Sequence, residues 1–322
     1  MLSVILPSYN EEKMVPIAAN TIAGILEREK IDFELIFVDD GSQDKTWEQI
    51  LKISYTSPKK TTQPYTQPHI PSIHVTGIRL SRNFGKEAAM FAGLDQARGE
   101  CCAILDCDLQ HPPEKLVEMY RLWEDGYDVV EGVKENRGEE SGLHRLAANS
   151  FYTIISRATG MDMSNASDFK LLDRKVVDAL NQMSERKVFF RALSFWVGFK
   201  KASVSYQVQE RAAGESKWST RSLVKYALTN IISFSSMPLH IVTVLGLLML
   251  VVAVVFGLTA LVQKAMGMAM GGFTTVILLL LLSSSTVMIS LGIMGYYIAR
   301  IFDEVKGRPR YLISQTVQWE NG

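Results

Sequence analysis

Cysteine is scarce in this 322-residue chain, and two of its three cysteines, Cys101 and Cys102, are adjacent, so no disulfide framework is available. Their place in an apolar run marks them as small buried side chains and agrees with a reducing compartment. No net charge remains after 34 Lys and Arg are set against 34 Asp and Glu, which removes the global electrostatic case for nucleic acid. No Gly-x-Gly-x-x-Gly follows the first apolar run and no Gly-x-x-x-x-Gly-Lys-Ser/Thr occurs anywhere. Dinucleotide oxidoreductases and P-loop phosphotransferases are thereby disfavoured, and any phosphate must be handled by metal and side-chain cations. No cleavable signal is expected at residues 2–6, which are too short for its apolar core and are followed at once by a polar turn. No internal repeat is present.

Long uncharged stretches, by contrast, are present twice. Residues 241–262 and 273–299 give 22 and 27 positions without a charge, each enough to cross a hydrocarbon core of about 30 Å as a helix. Residues 247–255 and 278–282 are apolar on every helical face, unlike an amphipathic core helix. The connection at 263–272 carries a single cation, Lys264, whereas Lys217, Arg221 and Lys225 precede the first stretch and Arg300, Lys306, Arg308 and Arg310 follow the second. The positive-inside rule then places both ends in the cytoplasm. Residues 218–236 set Leu223, Tyr226, Ala227, Asn230, Ile231 and Phe234 at helical spacing behind those cations, the pattern of a helix lying in the membrane interface. Residues 144–159 form a second candidate of the same kind.

Ahead of these segments, short apolar runs at 2–6, 34–38, 73–80, 101–105 and 128–131 alternate with helical stretches at 13–29, 44–53, 86–97 and 113–124. Strands apolar on both faces and separated by helices predict an α/β domain built on a doubly wound, mainly parallel sheet. The stretch 54–72 holds Pro58, Pro64, Pro68 and Pro71 among Thr and Gln, and reads as an exposed loop.

In such a sheet the chemistry sits at the carboxyl ends of the strands. Four of those ends carry polar clusters: Pro7 through Glu12, Asp39-Asp40-Gly41-Ser42, Ser81 through Lys86, and Asp106-Cys107-Asp108. Asp106 and Asp108 would repel each other unless a cation lay between them, and hard divalent ions take oxygen ligands while keeping room for substrate phosphates. Asp39 and Asp40 are placed to accept hydrogen bonds from a nucleobase or ribose, with Gly41 allowing the tight turn.

Together, Pro7 to Glu12, Asp39-Asp40-Gly41-Ser42 with Asp44 and Thr46, Arg82-Asn83-Phe84-Gly85-Lys86-Glu87, and Asp106-Cys107-Asp108-Leu109-Gln110 resemble the family 2 inverting glycosyltransferases. Further matches narrow the resemblance to the polyprenyl-phosphate type, closest to the bactoprenol glucosyltransferases and related to dolichyl-phosphate mannose synthase. They are Ser167-Asp168-Phe169-Lys170-Leu171, Glu210-Arg211 with Gly214 and Lys217, two C-terminal spans, and Gly307-Arg308-Pro309-Arg310-Tyr311. The resemblance implies a glycosyltransferase A-type domain over residues 1–215 and a juxtamembrane amphipathic helix over 216–236. Transmembrane helices over 237–264 and 272–300 and a cytoplasmic tail over 301–322 would follow, in the inner (plasma) membrane with the catalytic domain cytoplasmic.

It further implies a nucleotide-sugar donor, UDP-glucose first, and a polyprenyl phosphate acceptor such as undecaprenyl phosphate. Pro7, Tyr9, Glu11, Asp39, Asp40, Lys86 and Asp106 would bind the nucleotide sugar, and Asp106, Asp108 and Gln110 would hold Mg²⁺ or Mn²⁺ on the diphosphate. Lys134 and Arg137 would meet the acceptor phosphate, and Asp108, Asp168, Arg211 and Lys217 would carry catalysis. A phosphate monoester has its second pKa near about 6, so the acceptor needs no strong base, and Asp168 is expected to orient the acceptor or support the metal. The resemblance also suggests a homo-oligomer, with a tetramer as its candidate form. A processive synthase would carry Gln-x-x-Arg-Trp and more spans, which are absent here. The open alternatives are a GDP-mannose enzyme, a GlcNAc or amino-sugar variant, and, from another class, a catalytically silent partner of a lipid flippase.

Overall fold

The alternating apolar runs become the centre of one eight-stranded sheet in the computed structural model, which describes residues 1–56, 74–135, 167–183, 190–207, 237–267 and 272–318. Strands β1 (Leu2–Ser8), β2 (Phe33–Asp39), β3 (His74–Leu80), β4 (Cys101–Ile104) and β5 (Val129–Lys134) are separated by α1 (Met14–Arg28), α2 (Thr46–Thr56), α3 (Lys86–Gln96) and α4 (Lys115–Glu124). β2 is buried along its whole length, as a strand covered on both faces must be. Leu2, Val4 and Leu6 of β1 join the core under α1, whose Met14, Val15, Ala18, Ala19, Ile22 and Leu26 return at helical spacing. Ile5 points the other way, against Gly93 of α3. Alternation along the strand thus gives each sheet face its own helix cover.

The remaining elements are β6 (Lys170–Asp173), α5 (Arg174–Gln182), α6 (Phe190–Trp196), β7 (Lys201–Tyr206), the long helices α7 (Met237–Ala265) and α8 (Phe273–Val305), and β8 (Ile313–Gln318). The sheet order is β7-β5-β6-β4-β1-β2-β3-β8. Parallel pairing joins β4 to β1, β1 to β2, β2 to β3 and β5 to β7. β6 runs antiparallel between β4 and β5, and β8 closes the far edge antiparallel to β3. The sheet is therefore mixed, with the parallel core that the sequence predicts.

Two consequences of this order place the site. The chain builds β1, β2 and β3 outward and then returns to lay β4 on the other side of β1, so the strand order reverses between β1 and β4, where α/β sheets open a crevice. Because β6 is antiparallel to β4, with Lys170 opposite Ile104, its amino end and the preceding Asp168 come to the same edge as the carboxyl end of β4.

The described residues 237–267 and 272–308 belong to a second compact unit. Within it, Val242–Ala265 and Val276–Val305 are each long and apolar enough to cross a membrane. The hydroxyls of Ser285, Thr286 and Ser290 donate to the carbonyls of Leu281, Leu282 and Thr286, so these polar groups of α8 are satisfied within their own helix. The proline-rich stretch from 57 on and both candidate interfacial helices, at 144–159 and 218–236, lie outside the described residues.

Candidate active site

The first three strand ends are laced into one rigid platform. Asn10 takes a left-handed conformation (φ 57°), its N–H donates to Ser42 Oγ at 2.9 Å, and its side chain accepts from Gln43 N at 2.9 Å. Glu11 N donates to Thr46 Oγ1 at 2.8 Å. Gly41 (φ +68°) sits so close to the next loop that a Cβ there would lie 2.5 Å from the Arg82 carbonyl carbon and 2.7 Å from Asn83 N. Only glycine meets both demands. Tyr9, immediately after Ser8, stays 40% exposed.

Asp39 and Asp40 are divided in task. Asp40 accepts Phe84 N at 2.7 Å on one oxygen and Gly85 N at 2.9 Å on the other, so it fixes the loop that launches α3. Burial raises its pKa, against those two backbone donors. Asp39 is fully buried; one oxygen accepts Ser42 N at 2.8 Å, and the other lies 3.2 Å from Arg79 Nε in an ion pair without hydrogen-bond alignment. Arg79 also donates to the Ser42 carbonyl and lies over the Trp47 ring. Asp39 is the carboxylate with accepting capacity in hand, and Arg79 is the partner that no motif disclosed, one position in the ordinary alternation of β3.

Across the crevice, Asp106 and Asp108 leave β4 on a turn completed by Leu109 (φ 54°), with Asp108 Oδ1 accepting Gln110 N at 3.1 Å. Among the described residues no third His, Cys, Asp or Glu joins them as a metal cluster. Two hard carboxylates at a half-exposed turn suit Mg²⁺ or Mn²⁺ completed by water and substrate phosphate. Behind them His111 packs on Phe169 (centroids 5.1 Å apart) and on Tyr206, with Nδ1 3.9 Å from Asp106 Oδ2. Burial lowers its pKa, so a neutral imidazole faces Asp106. Its position directly after Gln110 was the available signal.

At the centre of the arrangement two cations and two carboxylates form an ion-pair network. Lys86 Nζ, on the first residue of α3, lies 2.6 Å from Asp106 Oδ1 and 3.0 Å from Asp168 Oδ2. Burial disfavours its charge, but the two carboxylates outweigh that and hold its pKa above the ordinary lysine value. Arg191 of α6 grips Asp168 through Nε at 2.8 Å and a terminal nitrogen at 2.9 Å. Burial alone would raise the pKa of Asp168; Lys86 and Arg191 instead hold it well below the usual carboxylate range. An acid that weakly basic cannot take up a proton efficiently near neutral pH, so Asp168 is a fixed anion that orients cations. Arg191 sits in the apolar stretch Phe189-Phe190-Arg191-Ala192-Leu193 and has no motif around it, so sequence reasoning missed it.

Of the residues singled out from the sequence, the structure brings Lys86, Asp106 and Asp168 into direct contact and sets Asp108 and Gln110 on the adjoining turn. Pro7 lies in β1, Lys134 ends β5, and Arg137, Arg211 and Lys217 lie outside the described residues.

Residues 3–181 match the family model "Glycosyl transferase family 2". A glycosyltransferase of Synechocystis is 35% identical over 315 residues, covering 97% of this chain and 94% of that one. A "prophage bactoprenol glucosyl transferase homolog" of Escherichia coli is 33% identical, and the "bactoprenol glucosyl transferase" of Shigella phage SfII is 32% identical, each alignment covering 98% of both chains. The chain is a glycosyltransferase and belongs to glycosyltransferase family 2.

Proposed function

We propose that the chain moves one sugar, glucose from UDP-glucose, onto undecaprenyl or a related polyprenyl phosphate at the cytoplasmic face of the plasma membrane, with inversion at the anomeric carbon. The observation that carries this reading is the meeting of the Asp106–Asp108 turn with Lys86, Asp168 and Arg191 at one sheet edge, in a chain that also has two membrane-length helices. The relatives named for bactoprenol and glucose support the choice of acceptor and sugar.

In this reading Tyr9 and Asp39, the latter steadied by Arg79, receive the nucleotide, with Pro7 and Glu11 shaping the wall beside them. Asp106 and Asp108, with Gln110 adjoining, would hold Mg²⁺ or Mn²⁺, which neutralises charge building on the departing nucleoside diphosphate. Lys86 is set to meet the same diphosphate, since it already holds Asp106. The acceptor phosphate oxygen attacks the anomeric carbon, the bond to the diphosphate breaks, and the electron pair leaves with the nucleotide. A dianionic phosphate needs positioning more than deprotonation. Arg191 and Lys86 around the fixed anion Asp168 supply that on one side, and Lys134 with Arg137, Arg211 and Lys217 are the proposed cations on the lipid side. We extend the reading to a homo-oligomer in the membrane.

Transfer of radiolabelled sugar to polyprenyl phosphate in membranes, across UDP- and GDP-sugars with and without EDTA, tests it. Labelled lipid with UDP-glucose, lost with EDTA and restored by Mg²⁺ or Mn²⁺, is the expected result. Transfer from GDP-mannose alone would overturn the donor, and wild-type activity in Asp106→Ala would overturn the metal site.

A further inference from the structure

Beneath Asp168 the fold buries a second, complete charge pair that the reaction does not touch. Lys170 keeps only 1% of its side chain accessible, and its Nζ lies 2.8 Å from Glu131 Oε1. The same Glu131 oxygen accepts Ser167 N at 3.0 Å, one residue before Asp168. Lys170 Nζ also donates to the buried hydroxyl of Ser194, which in turn donates to the Arg191 carbonyl at 3.0 Å. Every polar group in this chain of contacts is therefore partnered, and each link is directional.

The spacing explains why. Asp168 lies in the bend just before β6 and Lys170 is the first residue of β6, and both side chains reach α6. Arg191 and Ser194 are three apart on a helix and so share a face. The two segments meet in two rungs, Asp168 to Arg191 and Lys170 to Ser194. A one-residue slip of α6 along β6 would break both. The amino end of α6 is held separately, Phe190 N donating to Glu87 Oε1 on α3, while the Phe190 ring packs edge-on against Phe91. A buried ion pair is a poor source of net stability, because desolvation offsets its attraction and an apolar pair of similar volume often does as well. What an apolar pair could not supply is the directed link from β6 to the carbonyl of the residue that grips Asp168.

We infer that Lys170, held by Glu131, is a positioning residue that acts through Ser194 to keep Arg191 in register with Asp168. This deepens the glycosyl-transfer reading and rests on it only for its kinetic consequence. Lys170→Met would leave Glu131 buried without its cation and risks misfolding, so Ser194→Ala, which cuts only the link, is the better probe. In the full-length chain reconstituted in lipid vesicles, Ser194→Ala should speed amide hydrogen exchange across Phe190–Trp196 at least tenfold while the central strands stay protected. It should lower kcat for sugar transfer about tenfold with the donor KM within twofold, and Ser194→Ala/Arg191→Lys should be no slower than Arg191→Lys alone. Unchanged exchange in α6, or kinetic losses that multiply in the double variant, would overturn the inference. A wild-type chain that transfers no sugar would instead sink the functional reading, and the exchange measurement would still decide the positioning role.

Discussion

Lys86 and Asp168, 82 residues apart in sequence, meet at 3.0 Å because α3 starts, and β6 begins its antiparallel run, at the same edge of the sheet. The contact makes Lys86 the bridge between Asp106, a proposed metal ligand, and the inner carboxylate Asp168. Removing the cation leaves two anions facing each other and deletes a preorganised charge from the proposed reaction centre. Lys86→Met is therefore expected to lower kcat by about a hundredfold. Steady-state sugar transfer, with circular dichroism to confirm folding, checks this; a loss below fivefold would remove Lys86 from the machinery.

Asp168→Asn tests the anion from the other side. The amide keeps the shape but cannot balance Lys86 and Arg191, so both cations are released from their set positions. Turnover should fall by about a hundredfold or more, as for loss of one oriented charge, while UDP affinity, proposed to rest on Asp39, should change less than threefold. Calorimetric UDP binding beside kinetics separates the two, and intact turnover would end the assignment.

Glu87 gives a pH signature. Burial, with Asp168 adding repulsion, pushes its pKa up to about 7 from an ordinary 4.5. An acid whose folded pKa is raised holds its proton more tightly in the native state, so its contribution to stability is full below pH 4.5 and is lost as pH climbs through about 7. Wild type should therefore lose stability across that window relative to Glu87→Gln, whose neutral amide has no charge to desolvate. Thermal unfolding from pH 4.5 to pH 8 reads the difference, and parallel profiles would mean the ionised carboxylate is not disfavoured.

The proposed donor half of this site was legible in sequence because its residues are local. Asp39, Asp40, Asp106 and Asp108 each follow a strand made visible by its own apolar run, and the turn residues beside them carry their own punctuation. Lys86 was legible as a helix start and Asp168 through the Ser167-Asp168-Phe169 pattern, though their contact was not, because it depends on β6 running against β4. β6 is only four residues long and β7 alternates between exposed and buried positions, so neither announces itself as an apolar run. Arg191 and the Glu131–Lys170 pair lie deeper still. Nothing local distinguishes a lysine that pairs with a buried glutamate from one that reaches water, and only the strand register brings Glu131 opposite Lys170.

The last strand supplies a prediction that the sequence did not suggest at all. Residues 301–322 read as a tail, yet Ile313–Gln318 pairs with β3, and Ser314 Oγ donates to the carbonyl of Arg79, the residue that steadies Asp39. Arg310 donates to the Met183 carbonyl and lies over the Phe91 ring, and Tyr311 donates to Asp95 at the far end of α3. The segment thus fastens both β3, whose Arg79 pairs with Asp39 at the end of β2, and α3, which begins with Lys86. A chain ending at residue 308 should lose these contacts while keeping every residue proposed to touch substrate. We expect an unfolding temperature lower by about 5 °C or more, since about 1 kcal/mol shifts a domain of this size by about 2–4 °C. UDP affinity should also weaken, as Arg79 loses the strand that braces it. Arg310→Ala should show a smaller shift of the same kind, and a truncated chain that melts and binds UDP like wild type would reduce β8 to a passive edge cover.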